Sequence, residues 1–232
     1  MKKKWNQEKN SKKGKNTGYP GSSLMKIAIV LTTCLAIMVG FRLVASMYDK
    51  AVSTFGTTDG IDISKDVLSG GIPRLYQWDE RWADKSYGIS EMETSGCGPT
   101  CLSMVWCGLT GQTNWNPYEV AKMAERNGYY VLGSGSSWDL MTEGAEKIGL
   151  KAKEVIFDEA HILAELEAGH PIICAMGPGD FTTEGHFIVL AGVDDGGKII
   201  VNDPNSEELS ERTWELKRIM GQVKNLWSYE LD

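Results

Sequence analysis

The alternation of apolar and polar residues divides the chain after residue 71 into helices followed mainly by strands. Helical spacing of apolar residues, with capping residues before them and glycines after them, predicts helices after Pro99, at 116–128, at about 138–148 and at 158–168. Short apolar runs predict strands at 153–157, 171–176, 186–193, 198–202 and about 226–229. Because the helices largely come first and do not alternate with the strands, we expect an α+β fold.

The N-terminal part has a different pattern. An uncharged apolar stretch runs from Ile27 to Phe41 between Lys26 and Arg42, two side chains that can snorkel and lengthen the span. This pattern predicts a single transmembrane signal-anchor over residues 27–47. It would follow a lysine-rich tail over 1–26 and precede a linker over 48–70, which leaves residues 71–232 as the main domain.

Charge refines this topology. Residues 1–26 hold eight lysines and one glutamate, whereas the whole chain has a net charge of −7, so the remainder is strongly acidic. An acidic domain argues against a nucleic-acid partner. The positive-inside rule places the tail in the cytoplasm and the domain outside it, on a single-pass protein of the cell membrane. The alternative is a signal peptide cleaved near Val44-x-Ser46, which would give a secreted protein.

The first candidate for chemistry is Cys97, in Gly96-Cys97-Gly98-Pro99-Thr100. Pro99 suits the first turn of a helix, so Cys97 should lie at a helix N-terminus, where free N–H groups and the helix dipole favour a thiolate. The alternative is a small buried cysteine.

The other cysteines of the main domain favour packing roles. Cys101 and Cys107 fall within the same helix as Cys97, where disulfide geometry is rare, and they and Cys174 are interpreted as core or helix-surface residues. We find no second ligand pair for a zinc site and no cofactor motif, so we expect neither metal nor cofactor.

A nucleophilic cysteine needs a base, and His186 is the best of three histidines. His161 is expected on a solvated helix surface, and His170 at a helix C-terminus. His186 begins an apolar strand that gives no other reason for a titratable ring. A core histidine held by one hydrogen bond is the alternative.

The turn Asp194-Asp195-Gly196-Gly197 predicts a hairpin that brings Asp203 near His186. A two-residue loop at 195–196 pairs residues whose numbers sum to 391, so His186 faces Asn205 and has Asp203 as its diagonal neighbour. Asp203 could then orient the imidazole. Three alternatives stay open: a three-residue loop would reverse the parity, Asn205 could orient the ring, and Asp203 could serve only in an Asx-Pro turn.

Gln77, in an aromatic segment at 76–82, is a candidate oxyanion donor together with the backbone N–H of Cys97. By itself it would be interpreted as a surface residue.

These motifs together resemble the C39-like cysteine peptidase family. The similarity spans about Ile72 to Tyr229 and rests on Tyr-Gln-Trp-Asp-x-Arg-Trp, Tyr-Gly, Ser-Gly-Cys-Gly-Pro-Thr, Gly-His-Phe-Ile-Val-Leu-Ala-Gly and Val-Asn-Asp-Pro. The resemblance implies a papain-like fold related to bacteriocin-processing peptidase domains. It also implies the roles of four residues: Cys97 as nucleophile, His186 as base, Asp203 as orienter and Gln77 as oxyanion donor. The chain departs from the transporter peptidases at Gly96, where they usually have Asp, and it contains no ABC ATPase motif.

We therefore expect a membrane-anchored, extracytoplasmic cysteine peptidase of bacterial type that acts on a peptide or protein substrate. Two alternatives are a non-catalytic peptide or cell-wall binding module and an acyltransferase or amidase. In the binding module, Trp78, Trp82, Tyr129, Tyr130 and Trp138 would line a groove.

Overall fold

The structure is a computed structural model that describes residues 30–33, 37–40, 60–67 and 70–231. The chain divides into two compact units, residues 1–52 and residues 53–232. In the first unit, residues 30–33 and 37–40 are helical, and their large apolar side chains are exposed. The predicted tail and most of the predicted signal-anchor lie outside the described residues. Among the residues that are described, no helix combines the length and apolar character that a membrane span requires.

The second unit contains eight α-helices among the described residues. The longest, α3, carries the cysteine motif, and α4 begins at Pro117 because the Asn116 side chain accepts hydrogen bonds from two backbone N–H groups of its first turn. The helices are α1 (Ser64–Val67), α2 (Met92–Ser95), α3 (Cys97–Thr110), α4 (Pro117–Arg126), α5 (Glu143–Lys147), α6 (Glu159–Glu167), α7 (Glu207–Glu211) and α8 (Leu216–Met220).

The strands form one large sheet and two small hairpins. The hairpins pair β1 (Ser86–Tyr87) with β2 (Ser90–Glu91) and β3 (Tyr130–Val131) with β4 (Gly135–Ser136). The remaining strands are β5 (Leu150–Glu154), β6 (Ile172–Met176), β7 (His186–Val193), β8 (Ile199–Asn202), β9 (Thr213–Trp214) and β10 (Val223–Leu231). They form a six-stranded antiparallel sheet in the order β5-β10-β6-β7-β8-β9, which confirms the α+β class.

The large sheet is buried on both faces, and successive residues of its strands point into different cores. In β6, Ile173 and Ala175 belong to the core beneath α3 and α4, whereas Ile172 and Cys174 belong to the core that also contains Ile162 of α6. This alternation explains why β6 is apolar at every position instead of every second one. Helix α3 is thereby held against the sheet next to β7.

The predicted third helix and the first predicted strand differ from the structure. A 3-10 helix at Trp138–Met141 is followed by the separate α5, because Thr142 between them leaves helical geometry with φ −113° and ψ −86°. Strand β5 begins at Leu150, three residues earlier than predicted, because residues 150–154 pair with β10. Ile156 and Phe157, expected in that strand, are exposed beyond it.

Part of the predicted linker over residues 48–70 packs into the hydrophobic core. Ile61, Ile63 and Val67 are buried in the core beneath α3, and Arg81 forms an ion pair of 2.8 Å with Asp66 of α1. Ordered packing therefore begins before Ile72, where the apolar pattern of the domain starts.

The hairpin between β7 and β8 has a three-residue loop, so the predicted two-residue loop is wrong. The Asp194 N–H donates to Lys198 O, and Gly197 has φ +78°, as three-residue hairpin loops favour. A β-bulge between Leu190 and Gly192 then restores the register, because Val189 pairs with Asn202. The expected sum of 391 thus holds at the His186 end, although it fails at the turn.

Candidate active site

Cys97 is the first residue of α3, as the sequence predicts. The Thr100 N–H donates to Gly96 O, and the earlier N–H groups of Cys97 and Gly98 have no acceptor within the helix. Pro99 has no N–H to satisfy. Because α3 has 14 residues, the positive end of a complete helix dipole lies at the Cys97 thiol.

The glycines on either side of Cys97 are required by packing. A side chain at Gly96 would overlap the backbone oxygen of Met92, and one at Gly98 would overlap the hydroxyl of Ser136. Met92 and Ser136 therefore occupy the space that these glycines leave. The same crowding gives a physical reason why Asp cannot stand at position 96 in this backbone.

His186 is the first residue of β7 and lies at the same end of the sheet as the N-terminus of α3. Its Nε2 atom lies 2.8 Å from Asp203 Oδ1, and the two side chains are only 7% and 1% exposed. The diagonal contact predicted from the hairpin is therefore present. Asn205, the alternative partner, instead donates its backbone N–H to the same oxygen of Asp203 at 2.8 Å.

Asp203 follows β8 directly and is held by a serine that the sequence did not single out. The Asp203 N–H donates to Ser210 Oγ at 2.9 Å, and the Ser210 hydroxyl donates to the backbone oxygen of Ser206, the N-cap of α7, at 2.7 Å. This small network fixes the loop on which the carboxylate stands. No spacing in the sequence indicates it, because the contact depends on how α7 folds back over β8.

The surroundings of His186 favour its protonated form. Burial lowers the pKa of the imidazole, but the hydrogen bond to Asp203 and the adjacent Cys97 side chain outweigh burial and raise that pKa above its usual value. Since Asp203 is bound to Nε2, Nδ1 is the ring nitrogen left for Cys97. This arrangement is suited to a thiolate–imidazolium pair.

Gln77 is almost fully buried, so its interpretation as a surface residue is wrong. Its backbone N–H donates to Pro204 O at 2.7 Å, and its side-chain Nε2 donates to Glu93 O at 2.6 Å. It thus links the loop of Asp203 to α2, the short helix just before Cys97. Its Oε1 atom is buried and has no hydrogen-bond partner among the described residues.

A cavity of about 290 Å³ contains the candidate nucleophile and base. Its described lining residues do not include Gln77, whose side-chain Nε2 donates to Glu93 O. They come from the start of α3, from β4 and the residues flanking it, from the end of β6, from the loop before β7 and from β10: Cys97, Ser134, Ser136, Trp138, Ala175, Met176, Gly177, Glu184, Gly185, His186, Phe187 and Lys224.

The remaining cysteines of the described chain are buried and make no disulfide, which agrees with their interpretation as packing residues. Burial raises the pKa of Cys101 and Cys174, and it raises that of Cys107 to about 12. Cys97 alone among the described cysteines is partly exposed.

The other two histidines lie outside the cavity, as expected. His161 is half exposed and lies 3.1 Å from Asp158, which caps α6. His170 lies just after α6, and its Nδ1 is 2.8 Å from Glu165 in the last turns of that helix.

Of the five aromatic residues considered for a binding groove, only Trp78 and Trp138 are substantially exposed. Trp82 and Tyr129 are buried in the core, and Tyr130 packs edge-on against Tyr87. Trp138 is the member of this set that lines the cavity.

The cavity brings the Cys97 thiol and the His186 imidazole together, and Asp203 contacts that imidazole. Comparison with curated proteins finds no match. The model of the Peptidase_C39 like family matches residues 70–230, a range that includes Gln77, Cys97, His186 and Asp203. Because this match covers most of the chain, the protein belongs to the Peptidase_C39 like family.

Proposed function

We propose that this protein is a cysteine peptidase in which Cys97, His186 and Asp203 hydrolyse a peptide bond. One observation carries the proposal. Cys97, at the start of a 14-residue helix, shares a cavity with His186, a buried histidine whose Nε2 atom lies 2.8 Å from Asp203 Oδ1. A nucleophile next to a base, with a carboxylate that orients the base, is the arrangement of a catalytic triad.

In the proposed acylation step, the Cys97 thiolate attacks the carbonyl carbon of the peptide bond and forms a C–S bond. The carbonyl electron pair moves to the oxygen, which becomes an oxyanion. His186 then gives its Nδ1 proton to the leaving amine as the C–N bond breaks, and the acyl group stays on Cys97 as a thioester. Asp203 keeps Nε2 protonated and the ring oriented throughout.

In the proposed deacylation step, neutral His186 takes a proton from water, and the resulting hydroxide attacks the thioester. The C–S bond breaks, the acid product leaves, and the thiolate–imidazolium pair forms again. The Asp203 carboxylate stabilises the imidazolium in both steps, which is the role that its buried position at 2.8 Å supports.

The oxyanion needs hydrogen-bond donors, and we assign Cys97 N–H and Gln77 to this role. The Gln77 amide has two N–H bonds, of which one is used by Glu93 O, so the second is available. The contacts of Gln77 with residues 93 and 204 tie it to the segments that carry Cys97 and Asp203. A location outside the cytoplasm, on a membrane anchor at 27–47, stays a prediction from charge and apolar patterning.

The proposal is tested by replacing the nucleophile and by replacing a buried cysteine of the same helix. With a degenerate, internally quenched peptide library as substrate, we expect Cys97→Ala to lower hydrolysis by at least about 1,000-fold. Cys107→Ala, three turns further along α3, should keep most of the activity. Equal activity in wild type and Cys97→Ala would contradict the proposal.

Alkylation separates this enzyme from a binding module on the same scaffold. Iodoacetamide at mildly acidic pH should label Cys97 quickly and leave Cys101, Cys107 and Cys174 unlabelled in the native protein, because those thiols are buried and have raised pKa values. Mass spectrometry of digested protein reads the labelled site. Uniformly slow labelling of these four cysteines would favour the binding module.

A further inference from the structure

A pair of buried hydroxyl groups lies beside the candidate nucleophile. Tyr87 is fully buried, Ser136 is 6% exposed, and their oxygens are 2.8 Å apart. Ser136 ends β4 and lines the same cavity as Cys97 and His186. None of the steps described above uses this pair.

The position of Ser136 is fixed by the packing of β4 against the beginning of α3. Its hydroxyl occupies the space that a side chain at Gly98 would need, directly after Cys97. Gly135, the other residue of β4, also packs closely against the residue before Gly96, since a Cβ at Gly135 would lie 3.1 Å from Ser95 O. The hydroxyl is therefore held at the wall of the cavity, next to the N-terminus that carries the thiol.

The number of protons in the pair indicates which way Ser136 points. Two hydroxyl groups have two protons, and their mutual hydrogen bond uses one of them. Tyr87 is in the core, where no other acceptor for its proton is found among the described residues, so a Tyr87 proton turned away from Ser136 would be buried without a partner. Tyr87 must therefore donate to Ser136, which leaves the Ser136 proton free to point into the cavity.

We propose that Ser136 contacts the substrate: its O–H donates a hydrogen bond to a main-chain carbonyl oxygen of the peptide bound next to Cys97. Tyr87 is the positioning residue that holds this hydroxyl in its donating orientation. A hydroxyl donor recognises the peptide main chain and not a particular side chain, so the contact applies to peptides of many sequences. This proposal rests on the peptidase function proposed above.

The experiment compares Ser136→Ala, Tyr87→Phe and the double variant on the degenerate, internally quenched peptide library. We expect each single variant to lower kcat/KM by about tenfold, as for the loss of one hydrogen bond. The double variant should be no worse than Ser136→Ala, because Tyr87 acts through Ser136. Ser137→Ala, the same change in the next residue, should stay within about twofold of wild type.

Alkylation of Cys97 by iodoacetamide is the second measurement, because this small reagent does not bind as a peptide. Its rate should be unchanged in Ser136→Ala and Tyr87→Phe. A parallel loss of alkylation and hydrolysis would show a structural role and overturn the proposal, as would additive effects or unchanged hydrolysis in Ser136→Ala. Absence of Cys97-dependent hydrolysis in the wild type would overturn the peptidase function and this proposal together.

Discussion

The cavity around His186 and the cavity around His170 are similar in size and in their central contact. They measure about 290 and 280 Å³, and each contains a histidine whose ring nitrogen lies 2.8 Å from a carboxylate. Their exposure differs. The side chains of His186 and Asp203 are 7% and 1% exposed, whereas those of His170 and Glu165 are 31% and 16% exposed.

The surroundings of the two pairs also differ. Hydrogen bonds with Lys153 and His170 lower the pKa of Glu165 to about 2, so this carboxylate already has two hydrogen-bond partners. The described residues lining that cavity include no cysteine, whereas the cavity of His186 has Cys97 at a helix N-terminus. A histidine–carboxylate contact therefore does not by itself make a catalytic site. We expect chemistry only at the buried pair that has a nucleophile beside it, which is the His186–Asp203 pair next to Cys97.

The largest contrast is expected between His186→Gln and His170→Gln. Without the imidazole of His186, neither the thiolate nor the leaving amine has its proton partner, so kcat/KM should fall by at least about 1,000-fold. His170→Gln should stay within about twofold of wild type, because its ring lies outside the cavity of Cys97 and contacts Glu165 and Glu230. Hydrolysis of the quenched peptide library measures both, and similar losses in the two variants would break the comparison.

A smaller contrast is expected between Asp203→Asn and Glu165→Gln. Asn keeps an oxygen for the ring but loses the charge, so we expect a loss of about 10- to 100-fold in kcat/KM. Because Asp203 helps to raise the pKa of His186, its replacement should lower that pKa, and the alkaline limb of the pH–rate profile should move to lower pH. Glu165→Gln is the matched control. A profile that does not move in Asp203→Asn would contradict the assigned role.

The smallest effect concerns stability in acid and belongs to the His170 cavity. The pKa of Glu165 is about 2 in the folded protein, below its usual value of 4.5, because of its hydrogen bonds with Lys153 and His170. A lowered carboxylate pKa stabilises the fold above the unfolded value, and this contribution is lost as pH falls from about 4.5 to about 2.

Thermal unfolding measures this contribution. The drop in Tm between pH 4.5 and pH 2 should be a few degrees smaller in Glu165→Gln than in wild type. Glu159→Gln, on the exposed surface of the same helix, should show the same drop as wild type. If Tm changes with pH in Glu165→Gln as it does in wild type, Glu165 does not contribute to stability in acid.

Local features of the chain are the part of the fold that is predictable from sequence. The cap at Asn116, the cap at Asp158 and the helix start at Cys97 depend on residues close in sequence, and all three are present in the structure. The bounds of β7 also follow from its apolar run. Where a residue between two helical segments adopts an unusual backbone, as Thr142 does, the apolar pattern continues across the break and hides it.

The His186–Asp203 contact was predicted from a hairpin register that has two compensating errors. The loop contains one residue more than expected, and the bulge between Leu190 and Gly192 removes the shift before it reaches His186. A turn sequence indicates the loop only, since a bulge depends on how both strands pack against the layers beside them. The predicted contact is present because the longer loop and the bulge compensate each other.

The sequence by itself determined the local chemistry: a thiol at the start of a helix, a histidine at the head of an apolar strand and a carboxylate after the next strand. Only the tertiary structure decided which groups surround them. It bound the Gln77 side chain to Glu93 in α2, held Asp203 with Ser210, and brought the Tyr87–Ser136 pair to the cavity wall. The physical reason is that capping, helix spacing and turns act over a few residues. Burial and hydrogen bonding between distant segments depend on the packing of the whole domain.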